Sequence, residues 1–406
     1  MDDSGKKGGF SFFALWFGAA VSMAEIMTGS LIAPLGIIKG IAAIVSGHLI
    51  GCLILSSVGL MGFRERKPSL MASRISLGRY GSYVVSVFNI IQLTGWTAVM
   101  LIQCARSLQP VTAGLLGISS SFQLLVVIVG ILVGIWALTA DRGINFINNA
   151  AVVLLGILSI VMFILVLKGG EVKTVAESMS FGAALELSIV MPLSWVPLIS
   201  DYTMTGKSAT GSFAGSFLGY FTGSSFMYII GLASAIYTGN SDTVGIMTGL
   251  GMGYAALLIV VLATVTTTFL DVYSSVLSTL NLAPRMSKKK LIVIFTGIGT
   301  LLALFFPMEQ YENFLYMIGS LFAPAFSVII ADYFFYRKDR SADYVNVCGI
   351  IAAILGTAGY YAFNRLDLVI GSSIPSMLFT VALYAVMRFV LKKFQLGEDK
   401  YVKQNG

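Results

Sequence analysis

The chain reads as a succession of long apolar stretches separated by short polar punctuation. A stretch of roughly 18 or more apolar residues has the length of a helix that crosses a bilayer. Twelve such spans can be laid out, at about 11–38, 40–63, 82–108, 121–140, 144–168, 185–203, 211–237, 250–281, 290–307, 313–335, 345–363 and 368–391. The pattern predicts an all-α integral membrane protein of about twelve transmembrane helices. Between the spans, 64–81 predicts a basic loop and 169–184 an external loop with a short surface helix. Segment 238–249, rich in Gly, Ser and Thr, predicts a loop over the external mouth. No short-period repeat and no soluble domain interrupts the series.

Two spans depart from a plain apolar pattern. Glu25 sits near the middle of the first, among the small and hydroxyl residues of Ala20–Ser30. An ionised carboxylate in hydrocarbon is costly unless it is paired, protonated or facing a polar cavity. The sixth span carries Pro192 and Pro197 with Trp195 between them. Each proline removes a backbone donor, and carbonyls freed inside a membrane need a partner. An ordinary proline kink accounts for the sixth span alone. Interruptions in the first and sixth together match a five-plus-five inverted repeat of broken helices. The expectation is one polytopic domain over 1–406, with repeat one at about 11–168 and repeat two at about 185–335. Two extra C-terminal helices follow at about 345–391.

Composition agrees with the membrane reading: 57% apolar, 11% charged and a mean hydropathy of +0.88. A soluble domain carries roughly 25% charged residues. The first span is too long for a signal-peptide core and lacks a cleavage pattern, so it is expected to stay. The net charge of +7 raises the question of nucleic acid, and the placement of the charges answers it. With the N-terminus in the cytoplasm, 21 of the 26 lysines and arginines, Arg142 among them, fall on cytoplasmic segments. Lys39, Arg106, Lys168, Lys173 and Arg365 fall outside. That is the positive-inside asymmetry, with both termini cytoplasmic in a plasma (inner) membrane and no nucleic-acid partner. Cys52, Cys104 and Cys348 lie in apolar stretches and form neither a disulfide framework nor a metal spacing. A single histidine, His48, excludes a His-cluster metal site.

Polar residues inside spans are the candidates for chemistry. Asn89, Gln92, Trp96 and Gln103 share one face of the third span. An amide and an indole on one face suit a flat heterocycle, and Trp195 offers a second ring. Asn89 and Gln103 read instead as amides bonding neighbouring helices. The eighth span holds Thr266, Thr267 and Asp271. Helix carbonyls with adjacent hydroxyls can dress a small dehydrated cation, and Asp271 points round the helix toward a substrate. Threonines in helices also bond back to their own carbonyls. His48 reads as a packed, hydrogen-bonded residue rather than a proton relay. Asp201 and Asp332 read as structural or gating residues at helix ends. Lys39 and Arg106 snorkel to the external interface.

The same positions carry a resemblance. Trp16–Ser30, Ala72–Gly78, Gly95-Trp96, Ser200-Asp201-Tyr202 and Val328–Tyr333 resemble, in order, segments of the nucleobase-cation symporter-1 family of cytosine, purine, hydantoin and allantoin permeases. Within it the chain most resembles the hydroxymethylpyrimidine, CytX-like branch tied to thiamin salvage. The resemblance implies a LeuT-like fold, alternating access, no cofactor, and sodium or proton as coupling ion. It makes Trp96 the stacking indole and puts Asp271 and Glu25 at positions where the family has a substrate-binding amide and a small polar residue; together with Gln92 and Trp195, read from the spans themselves, these form the expected substrate site. It places a cation at the carbonyls of Gly18 and Val21 and at Thr266 and Thr267, where sodium as a metal would sit. One register of the eighth span leaves only Thr266 at the hydroxyl pair; a one-residue shift restores Thr266 and Thr267.

A 4-aminopyrimidine offers an amine donor and basic ring nitrogens, which a carboxylate can accept from or, protonated, donate to. Import of hydroxymethylpyrimidine by one protein chain, acting as a monomer in the lipid bilayer, is therefore expected. Cytosine, another nucleobase, or an amino acid are the alternative substrates. Glu25 disfavours an anionic one. A membrane enzyme is disfavoured because no Ser/His, Asp-pair or metal motif is present, and a channel because broken helices around a central site belong to carriers.

Overall fold

The computed structural model describes residues 6–139, 145–168 and 178–405. Arg142, Lys173 and the 169–177 part of the expected external loop lie outside the described residues. Among the described residues the long helices, with two broken pairs each counted once, number twelve. α1 has two halves, Gly9–Ala20 and Met23–Leu31, and α2 is Gly36–Glu65. α3 is Ser82–Leu116, α4 Phe122–Thr139 and α5 Asn145–Leu167. α6 has two halves, Phe181–Ser194 and Val196–Thr203. α7 is Ala209–Thr238, α8 Tyr254–Leu282 and α9 Lys288–Phe305. α10 is Tyr311–Ile330, prolonged by a π-turn over Ala331–Tyr336. α11 is Val347–Arg365 and α12 Ser373–Asn405.

Among the described residues nine single helices are long and apolar enough to cross a membrane, and the two bent pairs bring the number to eleven. α9 is the twelfth; three lysines in its first turn place charge at its membrane boundary. The expected basic loop after α2 contains two short helices, Ser69–Ala72 and Arg74–Leu77. The expected cover after α7 contains Thr243–Gly249.

Both breaks follow from local chemistry. The halves of α1 meet at 62° and those of α6 at 41°. At the first, Val21 and Ser22 leave helical geometry, and Ser22 is extended at φ −141°, ψ 156°. The break lies three residues before Glu25, which falls in the first turn of the second half. At the second, Trp195 separates the halves and Pro197 opens the next one, a position where a missing N–H costs nothing. The freed carbonyl of Ser194 accepts from Nε2 of Gln92 at 2.7 Å.

Packing repeats between the two halves of the fold. α1 lies along α7, α6 lies along α2, and α3 crosses α8. This is the LeuT-like five-plus-five arrangement, with α11 and α12 packed on α10. Close approach of α1 to α7 depends on glycines of α7. A Cβ on Gly219 would stand 2.9 Å from Cα of Phe13, and one on Gly231 2.8 Å from the carbonyl carbon of Ile26. Small residues let helix backbones meet where hydrocarbon solvent gives no hydrophobic drive to associate.

One face of the molecule, here the terminal face, gathers the start of α1 and the ends of α2, α6, α10 and α12. Lys7 pairs with the backbone of Thr205 and Lys207 at 2.9 Å each. Arg66 donates to the carbonyls of Met204 and Gly206 at 2.8 and 2.7 Å. Asp201 accepts from the Ser69 amide at 2.7 Å, and Asp332 accepts from Tyr384 at 2.5 Å and from Arg388. Both carboxylates are thus tied into helix ends.

Candidate functional site

A cavity of about 390 Å³ lies at the two helix breaks. From there it runs toward the terminal face along Ala14 and Leu15 of α1, Val152 of α5, and Leu198 and Tyr202 of α6. On the opposite side the way is closed. Thr28 and Tyr311 hydroxyls lie 2.8 Å apart, and Ser30 donates to the Ser241 carbonyl at 2.6 Å. Thr243 donates to Gln103 at 3.3 Å, and Gln103 also contacts the Met27 sulfur.

Of the expected site residues, Gly18, Glu25, Trp96, Trp195, Thr267 and Asp271 line this cavity. Trp96 is held edge-on by Tyr311 and Phe314, with centroids 6.1 and 5.3 Å away. Trp195 meets Trp16 edge-to-face at 5.8 Å. Such contacts fix the indoles before any ligand arrives. Thr267 and Asp271, four residues apart, share the cavity face of α8; the Asp271 carbonyl accepts from Ser275 at 2.9 Å, while its carboxylate has no hydrogen-bond partner among the described residues. The oxygens of Glu25 are both engaged by α7 rather than by Asp271 or the indoles. Tyr220 donates to one at 2.7 Å and the Ser224 hydroxyl lies 2.6 Å from the other.

Gln92, Val21 and Thr266 do not line the cavity. Gln92 bridges Asn89, at 2.8 Å, and the α6 break, and its own carbonyl oxygen is buried without a partner among the described residues. Thr266 bonds back to Leu262 and Ala263 at 2.9 and 3.0 Å, and Thr267 likewise to Ala263 at 2.9 Å. Asn89 bonds Ser278 of α8 at 2.8 Å, an interhelical contact as its position on the stripe suggests.

Among the wall residues that the sequence did not single out for the site are Ser22, Trp16 and Tyr202. All three stood inside quoted motifs, and Nε1 of Trp16 is buried with no acceptor among the described residues. A further buried carboxylate, Glu186, was not singled out. It accepts from Tyr360 at 2.7 Å, from the Ser372 and Ser373 amides at 2.7 and 2.8 Å, and from the Ser373 hydroxyl at 2.6 Å. It holds the first turn of α12 onto α6 and lies away from the cavity walls.

The site is thus a cavity at two broken helices, lined by two indoles and a carboxylate. Residues 4–347 match the family described as permease for cytosine/purines, uracil, thiamine, allantoin. The chain belongs to that family. The permease is 27% identical to the cytosine permease of Escherichia coli (strain K12) over 369 residues, 88% of this chain and 87% of the relative. It is 23% identical to the purine-cytosine permease FCY2 of Saccharomyces cerevisiae, over 85% of this chain and 72% of that one. These relatives are transporters, not enzymes. Among solved structures the permease resembles the inward-facing conformation of Mhp1 (TM-score 0.81, 20% identity, 96% of this chain and 92% of that one). It also resembles the closed Mhp1, a nucleobase-cation-symport-1 family transporter, with bromovinylhydantoin bound (TM-score 0.78, 21% identity, 96% and 94%). That likeness gives the fold. The permease is a multi-span membrane transporter.

Proposed function

We propose that this permease imports a pyrimidine-type heterocycle, hydroxymethylpyrimidine foremost, by cation symport with alternating access. Asp271 carries the reading. A carboxylate on the cavity wall with no protein partner needs a donor from the ligand, and the exocyclic amine of a 4-aminopyrimidine supplies one. Trp96 and Trp195 offer π-faces to the same ring. A cavity of about 390 Å³ is in the range of small-molecule sites and admits a single heterocycle. Cytosine presents the same amino edge, and the E. coli relative is named a cytosine permease, which makes cytosine the second candidate.

With the terminal face in the cytoplasm, as the lysines and arginines favour, the cavity lies on the inward side. The repeats then span about 11–168 and 185–335, each led by one broken helix. The test is uptake of radiolabelled 4-amino-5-hydroxymethyl-2-methylpyrimidine and of cytosine by cells making the permease. Asp271→Asn should abolish uptake while membrane expression is unchanged. Undiminished uptake by that variant would overturn the reading.

A further inference from the structure

Glu25, Ser224 and His48 form a hydrogen-bonded chain across three helices. The Ser224 hydroxyl is 2.6 Å from a carboxylate oxygen of Glu25 and 2.5 Å from Nε2 of His48. His48 Nδ1 lies 2.8 Å from the carbonyl oxygen of Ile44. That carbonyl can only accept, so Nδ1 carries a hydrogen. In a neutral imidazole Nε2 is then an acceptor. Ser224 has one hydrogen and two close neighbours. With Glu25 ionised and His48 neutral, both neighbours are acceptors and one contact holds two lone pairs and no hydrogen.

One extra proton resolves the conflict. Either Glu25 is protonated and donates to Ser224, which donates to Nε2, or His48 is an imidazolium and donates to Ser224, which donates to the Glu25 carboxylate. The two states share one heavy-atom arrangement. They interconvert when the Glu25 O–H breaks as a new Ser224 O–H forms, while the original Ser224 proton passes to Nε2. Electron pairs stay on their atoms and no proton is lost. Tyr220 donates to the other oxygen of Glu25 in both.

We infer that the Glu25–Ser224–His48 chain is the binding site of the coupling proton. This rests on the reading of the permease as a cation symporter and names the cation. The other groups facing the chain are Tyr220 and Tyr228 of α7, Cys52 of α2, Tyr311 of α10 and, on the cavity wall, Asp271. None of these is a cation near neutral pH, so loss of the proton leaves Glu25, 1% exposed, as an anion with no opposing charge in this set. The anion also loses a hydrogen bond to α7 or leaves His48 without one. Proton occupancy therefore governs how firmly the second half of α1 sits on α7. Glu25 lines the cavity, which gives the proton its route in and out. The expectation that His48 is a packed bystander changes accordingly: packing holds Nδ1 so that Nε2 can take part.

The permease contains one histidine, so [15N]histidine labelling of the full chain, purified on a tag without histidine, reports His48 alone. Nδ1 should stay protonated while the Nε2 resonance moves as pH is raised from about 5 to about 8. In Glu25→Gln the amide donates to Ser224 permanently, so the Nε2 shift should no longer respond to pH. A bare Nδ1, or a pH response untouched by Glu25→Gln, overturns the proposal. In proteoliposomes loaded for uptake of the two labelled pyrimidines, Ser224→Ala should flatten the ratio of uptake at low to high external pH by roughly fivefold or more. An equal loss at every pH would mark Ser224 as structural and overturn the proposal. If the wild-type permease takes up neither pyrimidine, the substrate assignment fails and the histidine resonances still decide this one.

Discussion

Tyr311 reaches across from α10 to Thr28 in the second half of α1, their hydroxyl oxygens 2.8 Å apart. Thr28 donates its own hydrogen to the Ala24 carbonyl at 2.7 Å, which leaves Tyr311 as the donor in the pair. The bond closes the side of the cavity away from the terminal face and beside Trp96, whose indole rests edge-on against the same tyrosine. Closure and ligand wall thus share one side chain.

Tyr311→Phe keeps the ring against Trp96 and removes the bond. A typical hydrogen bond contributes about 1 kcal/mol, so the closed arrangement should lose roughly fivefold in population. A cysteine placed at Ser22 should then react several-fold faster with a reagent added from the external side. No change in rate would show that Ser30, Gln103 and Thr243 suffice for closure.

Trp96→Ala removes a fixed aromatic wall whose stacking contributes about 0.5–1.5 kcal/mol beyond burial. Substrate affinity should fall by roughly tenfold, while Trp96→Phe should retain most of it. Equilibrium binding of the labelled pyrimidines to purified protein separates the two.

Gly231→Ala tests the α1–α7 contact. The added carbon would stand 2.8 Å from the carbonyl carbon of Ile26, on backbone that cannot rotate away. Overpacking of this kind costs about 1–3 kcal/mol. The melting temperature should drop and uptake should fail. A variant of normal stability would mean that the two helices separate at little cost.

Glu186→Gln replaces an acceptor that satisfies four donors with an amide that must point its NH2 group at some of them. Leaving buried donors unmet costs about 1–3 kcal/mol. Thermal stability should fall, yet pyrimidine affinity of the folded fraction should match the wild type. Weakened affinity at unchanged stability would move Glu186 from scaffold to site.

These residues also mark how far the sequence can be read. The spans were legible because hydrocarbon demands unbroken apolar length. The break in α6 was legible because two prolines bracket Trp195. Glu25 and Asp271 stood out because carboxylates are rare in such stretches. What Glu25 binds was not legible: Tyr220 and Ser224 are ordinary residues of an aromatic and small-residue helix, brought to it from about 200 positions away. Gln92 reads as a ligand contact from its stripe alone, but the carbonyl freed at Ser194 claims its amide. Glu186 has four donors that come from α11 and the start of α12, which lie outside the two repeats and share no spacing with it. In α8 the structure turns Thr267 and not Thr266 to the cavity, which matches neither the register with Thr266 alone nor the one with the pair Thr266 and Thr267.

Both halves of α6 lie along α2, and each has a further hold of its own. Glu186 fastens the first half to α11 and α12, while Ser200 and Thr203 fasten the second to the α2 carbonyls of Val58 and Gly59, at 3.1 and 2.7 Å. Any change of angle between the two halves is absorbed at Trp195, which is also a wall of the cavity. The joint and the sensor are then one residue: a ligand that grips the indole resists the bend, and a bend that turns the indole loosens the ligand. Cargo would thereby act as a brake on its own carrier, without a separate element to relay the message.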